Sequence, residues 1–370
     1  MKKILFLIHD LGEGGAEKVL LNLVNNMDRT KFDITVMTLF DYGVNRQFIA
    51  PHIKYKTWCK NMVRGNSYFI KLFTPSRLHK MIIKEQYDIE VAYLEGPCAR
   101  VISGCEDKDT KKVAWIHIEQ HGAKQSSTSF RSIKEAKECY NKFERIICVS
   151  EMVKKCFGES LSINKPVDVY YNTNESKKIL EMSKENVENN IILKDEINII
   201  GVGKLLEKKG FDRMLRITKK LVSEGYPIHL YILGIGPKEN ELRQYILEHK
   251  LKNNATLLGY KTNPYKYVSK CDLFLCASHA EGFSTAATEA LIVGTPVCTV
   301  DVSGMKEMLG ENNEYGIVVE NSEDALYRGV KDLIDSKEKL DYYREKAKER
   351  GKDFNTYSTV KAVEDMLLDL

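Results

Sequence analysis

Short apolar runs alternate with longer helical patterns along the whole chain, and this alternation restricts the fold more than any single residue does. In the first half the runs are Lys3–Ile8, Ile34–Leu39, Ile89–Leu94, Val113–Ile116, Arg145–Val149 and Val167–Tyr171. In the second half they are Ile197–Val202, Ile228–Leu233, Thr256–Leu258, Leu273–Cys276, Pro296–Val300 and Ile317–Val319. Runs that are apolar at consecutive positions bury both faces, as strands of a helix-covered parallel sheet do. Strand–helix alternation predicts a doubly wound α/β fold. Six strands in each half predict two Rossmann-like sheets, which 370 residues accommodate as two domains. The expected domains are 1–173 and 197–354, joined by a Lys/Glu/Asn-rich, weakly periodic linker at 174–196. A last helix over about 355–370 places Val360, Val363, Leu367 and Leu370 on one stripe, and it is expected to pack back on the first domain.

Composition removes several classes of protein. Hydrophobic residues are 43% and charged residues 29%, with a net charge of +4, which is ordinary for a globular chain and low for a nucleic-acid binder. Nine cysteines include no C-x-x-C pair, and several sit inside apolar runs such as Ile146-Ile147-Cys148-Val149. That pattern predicts reduced, buried thiols in a cytoplasmic protein, not a disulfide framework or a zinc site. The apolar run Ile4–Ile8 ends in His9-Asp10 and is too short for a signal segment. No run of 18 apolar residues occurs, so membrane contact is expected to be peripheral. The excess of lysine over arginine fits an AT-rich bacterial genome.

Three segments carry chemistry. Gly12-Glu13-Gly14-Gly15-Ala16-Glu17 follows the first strand and opens a helix, where close backbone approach and free amides suit an anion. It departs from G-x-G-x-x-G, and no acidic residue ends the second strand, which disfavours a nicotinamide dehydrogenase. Gly201-Val202-Gly203-Lys204-Leu205 with Lys209-Gly210 leaves the carboxyl end of the first strand of the second half, where two ammonium groups can neutralise a diphosphate. Ser278-His279-Ala280-Glu281-Gly282-Phe283-Ser284 leads into a helix running to about Val293, with Ser284 as its cap. The amides of Ser284, Thr285 and Ala286 then point at phosphate oxygens, while Glu281 and Glu289 flank that end and can hold sugar hydroxyls.

Together these segments resemble glycosyltransferase family 4, the retaining nucleotide-sugar transferases of GT-B architecture, over nearly the whole chain. Gly14-Gly15-Ala16-Glu17 looks like the family's acceptor-side glycine loop. Gly203-Lys204-Leu205 with Lys209-Gly210 looks like its diphosphate motif, with Lys204 in place of the usual arginine. Glu281 and Glu289 enclose seven residues, as in its E-x7-E signature, and Gly304 and Glu307 match a later G-x-x-E. Tyr171-Asn172 stands where the family has Asn-Gly, with Thr173 replacing the glycine. The resemblance implies two Rossmann-like domains facing across a cleft. It also implies that Lys204, Lys209, Gly15, Gly282, Phe283 and the Ser284 to Ala286 amides bind the donor, with Gly259 and Tyr260 framing the base and Glu289 the ribose. Glu281 then contacts the transferred sugar and His117 lies near the anomeric centre, unless His117 merely packs on Trp115 or Glu119 at a strand end. The implied reaction retains configuration by front-face attack, the leaving phosphate taking the acceptor proton. The nucleotide sugar, expected to be UDP-linked, is a substrate. No cofactor and no metal are expected, although Asp107-Lys108-Asp109 is formally a D-x-D.

Charge is segregated between Asp41 and Glu85. Residues 42–84 hold no acid and nine cations, Arg46, Lys54, Lys56, Lys60, Arg64, Lys71, Arg77, Lys80 and Lys84, interleaved with Tyr55, Trp58, Tyr68, Phe69 and Phe73. Basic and aromatic residues in mixture suit an anionic membrane surface or a lipid-linked saccharide acceptor. The leading expectation is a hexosyl or N-acetylhexosaminyl transferase of surface-glycan synthesis, held at the inner face of the cell membrane, with no nucleic-acid partner. A nucleotide-sugar epimerase of the same fold and a non-catalytic accessory subunit are the alternatives.

Overall fold

A computed structural model describes residues 1–12, 14–60, 70–187, 192 and 195–370. The chain forms two compact units, Met1–Thr173 with Tyr357–Leu370, and Asn174–Thr356.

In the first unit β1 (Lys2–Ile8), β2 (Phe32–Phe40), β3 (Lys54–Cys59), β4 (Ile89–Ala92), β5 (Lys111–Ile116), β6 (Arg145–Cys148) and β7 (Val167–Val169) form one parallel sheet in the order β3-β2-β1-β4-β5-β6-β7. Ile4 to Ile8 are fully buried, because helices cover both faces of this central strand. In the second unit β8 (Ile197–Val202), β9 (Ile228–Leu233), β10 (Ala255–Gly259), β11 (Leu273–Cys276), β12 (Val297–Val300) and β13 (Ile317–Val319) form a parallel sheet ordered β10-β9-β8-β11-β12-β13. The expectation of two Rossmann-like parallel sheets holds.

Two expectations are corrected. β3 was absent from the sequence-based strands: Lys-Tyr-Lys-Thr-Trp-Cys has no continuous apolar run, because an edge strand needs only half burial. Residues 174–183 are not a free linker. The helix Ser176–Ser183 buries Ile179, and Asn263 and Ser269 donate side-chain hydrogen bonds to the carbonyls of Met182 and Ser183. Thr356 Oγ1 donates to the Asn174 carbonyl, so this stretch is folded onto the second unit.

The last helix, Thr356–Leu368, buries Val360, Val363, Met366 and Leu367. At about 1.5–3 kcal/mol per buried large apolar side chain, that stripe holds the helix in place. Lys2 Nζ donates to the carbonyls of Leu367 and Leu368, both at 3.1 Å, which answers the open C-terminal end.

Strand order locates the ligand edge in each unit. The order reverses direction at β8/β11 in the second unit and at β1/β4 in the first. Loops leaving the carboxyl ends of such strand pairs diverge and open a crevice.

Candidate active site

The two loops at the β8/β11 switch carry the sequence-predicted donor residues, and they are locked together. Gly210 has φ +65°, and a Cβ there would lie 2.0 Å from the Ala277 carbonyl oxygen. Only glycine lets the turn after β8 approach the end of β11 so closely. The His279 amide donates to the Lys208 carbonyl at 2.7 Å. Lys209 Nζ then reaches both carboxylate oxygens of Glu281, at 2.6 and 2.8 Å. The Ser278 hydroxyl donates to Glu281 Oε1 at 2.6 Å, which fixes the carboxylate from the other side. Lys204 is exposed.

Glu281 leads through Gly282 and Phe283 to the helix Thr285–Ile292. Ser284 caps it, its hydroxyl accepting from the Ala287 amide at 3.3 Å, while Thr285 and Ala286 remain half-buried at its start. This helix end therefore lies three residues from the Lys209–Glu281 pair. Phe283, expected among the donor residues, turns its ring inward. Its ring is buried against Phe354 and against Gly304, where φ is +77° and a Cβ would sit 2.7 Å from Phe283 Cδ2. Phe283 anchors the loop, and the G-x-x-E glycine supplies the space for it. Glu289 is buried, with the Tyr265 hydroxyl 3.4 Å from its Oε1. Gly259, at φ +69°, accepts from the Gly234 amide, and Tyr260 after it is exposed.

At the β1/β4 switch, the glycine loop is drawn in by its neighbours. Asp10 Oδ1 accepts from the Gly12 amide at 2.8 Å, and the Asn45 side chain donates to the Gly12 carbonyl. Gly15 opens the helix Gly15–Asn26. A Cβ on Gly14 would lie 2.1 Å from Glu17 Oε2, so the chain's own carboxylate already folds over this helix start. Glu17 stands at the third helical position, where a capping-box glutamate would stand.

His117 follows β5 and is buried. Its amide donates to Glu95 Oε2 at 2.9 Å, and its ring tilts against Tyr93 with centroids 4.9 Å apart. These partners come from the β4 side. Nε2 is buried with no hydrogen-bond partner among the described residues. Burial pushes the imidazole pKa down to about 3, against a smaller opposing effect of the Tyr93 backbone. A neutral ring nitrogen held without a partner is costly unless something occupies it. Glu95 was not singled out from sequence, and no local motif marks it.

The charge segregation of residues 42–84 is partly undone by tertiary contacts. Arg46 pairs with Asp41, Lys54 with Asp33, Lys56 with Glu85 and Lys80 with Glu106. Trp58 is half-buried on β3, and Phe73 is half-buried. Arg131 donates to the Lys71 carbonyl, and the fully buried Arg100 to that of Phe73. Arg64, Tyr68 and Phe69 lie outside the described residues. Lys60 sits at the end of β3.

Metal-type donors cluster twice among the described residues, at His79, Glu90 and Cys105 and at Glu119, His121 and Cys156. His79 Nε2 lies 3.0 and 2.8 Å from the two oxygens of buried Glu90, which compensates that carboxylate without an ion. His121 Nε2 lies 2.6 Å from Glu119 Oε2. In the D-x-D, the Asp107 carboxylate accepts from the Asp109 amide and from the Gln86 side chain.

Residues 182–350 match the family described as Glycosyl transferases group 1, and residues 13–173 match Glycosyltransferase Family 4. The chain is 28% identical, over 362 residues and 96% of each chain, to the N-acetylgalactosamine-N,N'-diacetylbacillosaminyl-diphospho-undecaprenol 4-alpha-N-acetylgalactosaminyltransferase of Campylobacter jejuni. It is 22% identical, over 98% of this chain and 96% of the other, to the lipopolysaccharide core biosynthesis glycosyltransferase LpsD of Rhizobium meliloti. The crystal structure of Anabaena HepE in complex with UDP matches over 100% of both chains with a TM-score of 0.77 at 18% identity, a likeness of fold.

Proposed function

Because this chain belongs to the family 4-like glycosyltransferases of GT-B fold, we propose that it transfers a hexosyl or N-acetylhexosaminyl unit from a UDP-linked sugar to a lipid-linked or polysaccharide acceptor in surface-glycan assembly. The Lys209–Glu281 pair beside the Ser284 helix start carries this reading. Departure of a nucleoside diphosphate builds negative charge on its outer phosphate. Ammonium groups and helix-end amides already in place stabilise that charge more in the transition state than before it. Lys204 and Lys209 with the Ser284 to Ala286 amides take this part. Glu281, oriented by Lys209 and Ser278, accepts from a sugar hydroxyl, and Glu289 accepts from the ribose.

Lys209 and Ser278 orient Glu281 as a hydrogen-bond acceptor, which supports a role in holding the sugar. We assign front-face attack, with the leaving phosphate accepting the acceptor's proton and the anomeric configuration kept. His117, neutral and with Nε2 lacking a partner among the described residues, offers that nitrogen to a ligand at the carboxyl edge of the first unit's sheet. The leaving-group charge is assigned to lysines and amides, not to a metal.

The relative's name specifies a diphospho-undecaprenol-linked acceptor, which supports a lipid-linked acceptor here. Among the described residues no helix is long and apolar enough to cross a membrane. We place the enzyme at the cytoplasmic face, held peripherally by cations of residues 42–84.

A thermal-shift panel of nucleotide sugars tests the donor, because a ligand that binds only the folded state raises the midpoint. The stabilising sugar should then be hydrolysed or transferred with release of its nucleoside diphosphate. Absence of any shift across the panel overturns the proposal. Activity abolished by EDTA and restored by Mn²⁺ overturns the metal-free assignment.

A further inference from the structure

Arg213 is a buried cation whose side-chain hydrogen bonds go to neutral groups. It is the third residue of the helix Phe211–Ser223 and is 6% exposed. Nη1 and Nη2 donate to Asn321 Oδ1 at 2.9 and 3.1 Å, and Nη2 donates to His279 Nδ1. Burial lowers its pKa, and the charges of Asp212 and Glu323 offset this only in part. A buried guanidinium with neutral partners costs folding free energy that an apolar side chain would not.

The cost falls where the donor loops meet. A guanidinium has no acceptor atom, so His279 Nδ1 accepts and the ring proton sits on Nε2. His279 is fixed along its backbone as well. Its amide donates to the Lys208 carbonyl at 2.7 Å, and its carbonyl accepts from Asn321 Nδ2 at 3.3 Å. Arg213, Asn321 and His279 thus close a ring of hydrogen bonds. It ties the helix start, the turn carrying Lys209 and the loop carrying Glu281 to the segment before the helix Glu323–Ile334. Lys209 is the neighbour of Lys208, and Glu281 stands two residues after His279.

We propose that Arg213 is a positioning residue of the donor site: through His279 it holds the Lys209 and Glu281 loops in register and presents His279 as an Nε2–H donor to a nucleotide-sugar oxygen. This rests on the donor-site reading given above.

The test compares Arg213→Met, Arg213→Lys, His279→Ala and the Arg213→Met/His279→Ala double variant with Lys209→Ala. Donor hydrolysis and the ¹⁵N signals of the His279 ring are read. Arg213→Met and His279→Ala should each lower kcat about tenfold or more, as displaced catalytic groups do. The double variant should fall no further than the worse single one, because both remove one linkage. In Arg213→Met the ring should become a mixture of tautomers, a change that loss of stability alone does not produce. Arg213→Lys, with a point charge in place of a planar fork, should recover part of the turnover. Wild-type kcat in Arg213→Met with the Nε2–H tautomer retained overturns the proposal. His279 is exposed, so His279→Ala still folds if Arg213→Met does not, and wild-type kcat there overturns it equally. If only Lys209→Ala loses activity, the positioning role falls and the donor site stands. If Lys209→Ala is also fully active, the donor site itself falls.

Discussion

The Lys209 ammonium lies 2.6 and 2.8 Å from the two carboxylate oxygens of Glu281, a residue 72 positions further along the chain. Each group would otherwise wander on its own loop. Paired, they are oriented before any ligand arrives, and no reorganisation is needed during reaction. Lys209→Ala and Glu281→Ala should therefore each lower turnover at least about tenfold, a loss typical of a displaced charge-stabilising group. The fold should persist, but Lys209→Ala should lower the unfolding midpoint, because it leaves the largely buried Glu281 carboxylate without its cation. Turnover near wild type in both variants would remove the site assignment.

Gly210 makes that pairing geometrically possible. A methyl group at φ +65°, aimed at the Ala277 carbonyl, must push the two loops apart. Gly210→Ala should cost about 1–3 kcal/mol in urea unfolding, the scale of stored backbone strain. It should also abolish the thermal shift given by the donor nucleotide. Retention of both stability and shift would show that the loops tolerate separation.

His79 gives the first unit a pH dependence. Burial opposes its charge, but hydrogen bonds to Cys105 and Glu90 and the Glu90 charge outweigh burial and raise its pKa from 6.5 to about 9. The folded state binds the proton more tightly, so this stabilisation is whole below pH 6.5 and is lost as pH rises through about 9. The difference in unfolding free energy between wild type and His79→Gln should shrink across that window by on the order of 3 kcal/mol. A difference independent of pH would contradict the assignment.

His117 behaves oppositely. Held neutral down to a pKa of about 3, it cannot act as a titrating acid or base near neutral pH. His117→Gln should reduce kcat/KM without shifting the acid limb of the pH profile. Movement of that limb would assign the titration to His117 after all.

The ion pairs of the basic stretch give a test of the proposed membrane contact. Glu85→Gln and Glu106→Gln free Lys56 and Lys80, and each freed cation can add about 1 kcal/mol near anionic lipid. Both variants should co-sediment with anionic liposomes more strongly than wild type, and high salt should abolish the binding. Equal binding of all three proteins would exclude this surface.

Order along the chain was enough for the two parallel sheets, because a strand buried on both faces must be apolar at successive positions, as Ile4–Ile8 and Leu230–Leu233 are. The Ser284 cap was legible for a related reason: it sits at a fixed offset from a strand end, as the candidate donor residues Lys209, Glu281 and Glu289 do. β3 was not legible, since an edge strand needs no apolar run. Nor was the neutralisation of Lys54, Lys56 and Lys80, whose acids come from outside the stretch. Glu95 beside His117 and Arg213 beside His279 were equally hidden. Local pattern encodes which face of an element is apolar and where the element stops. Which charges meet across loops depends on the packing of elements distant in sequence, and only the folded chain decides that.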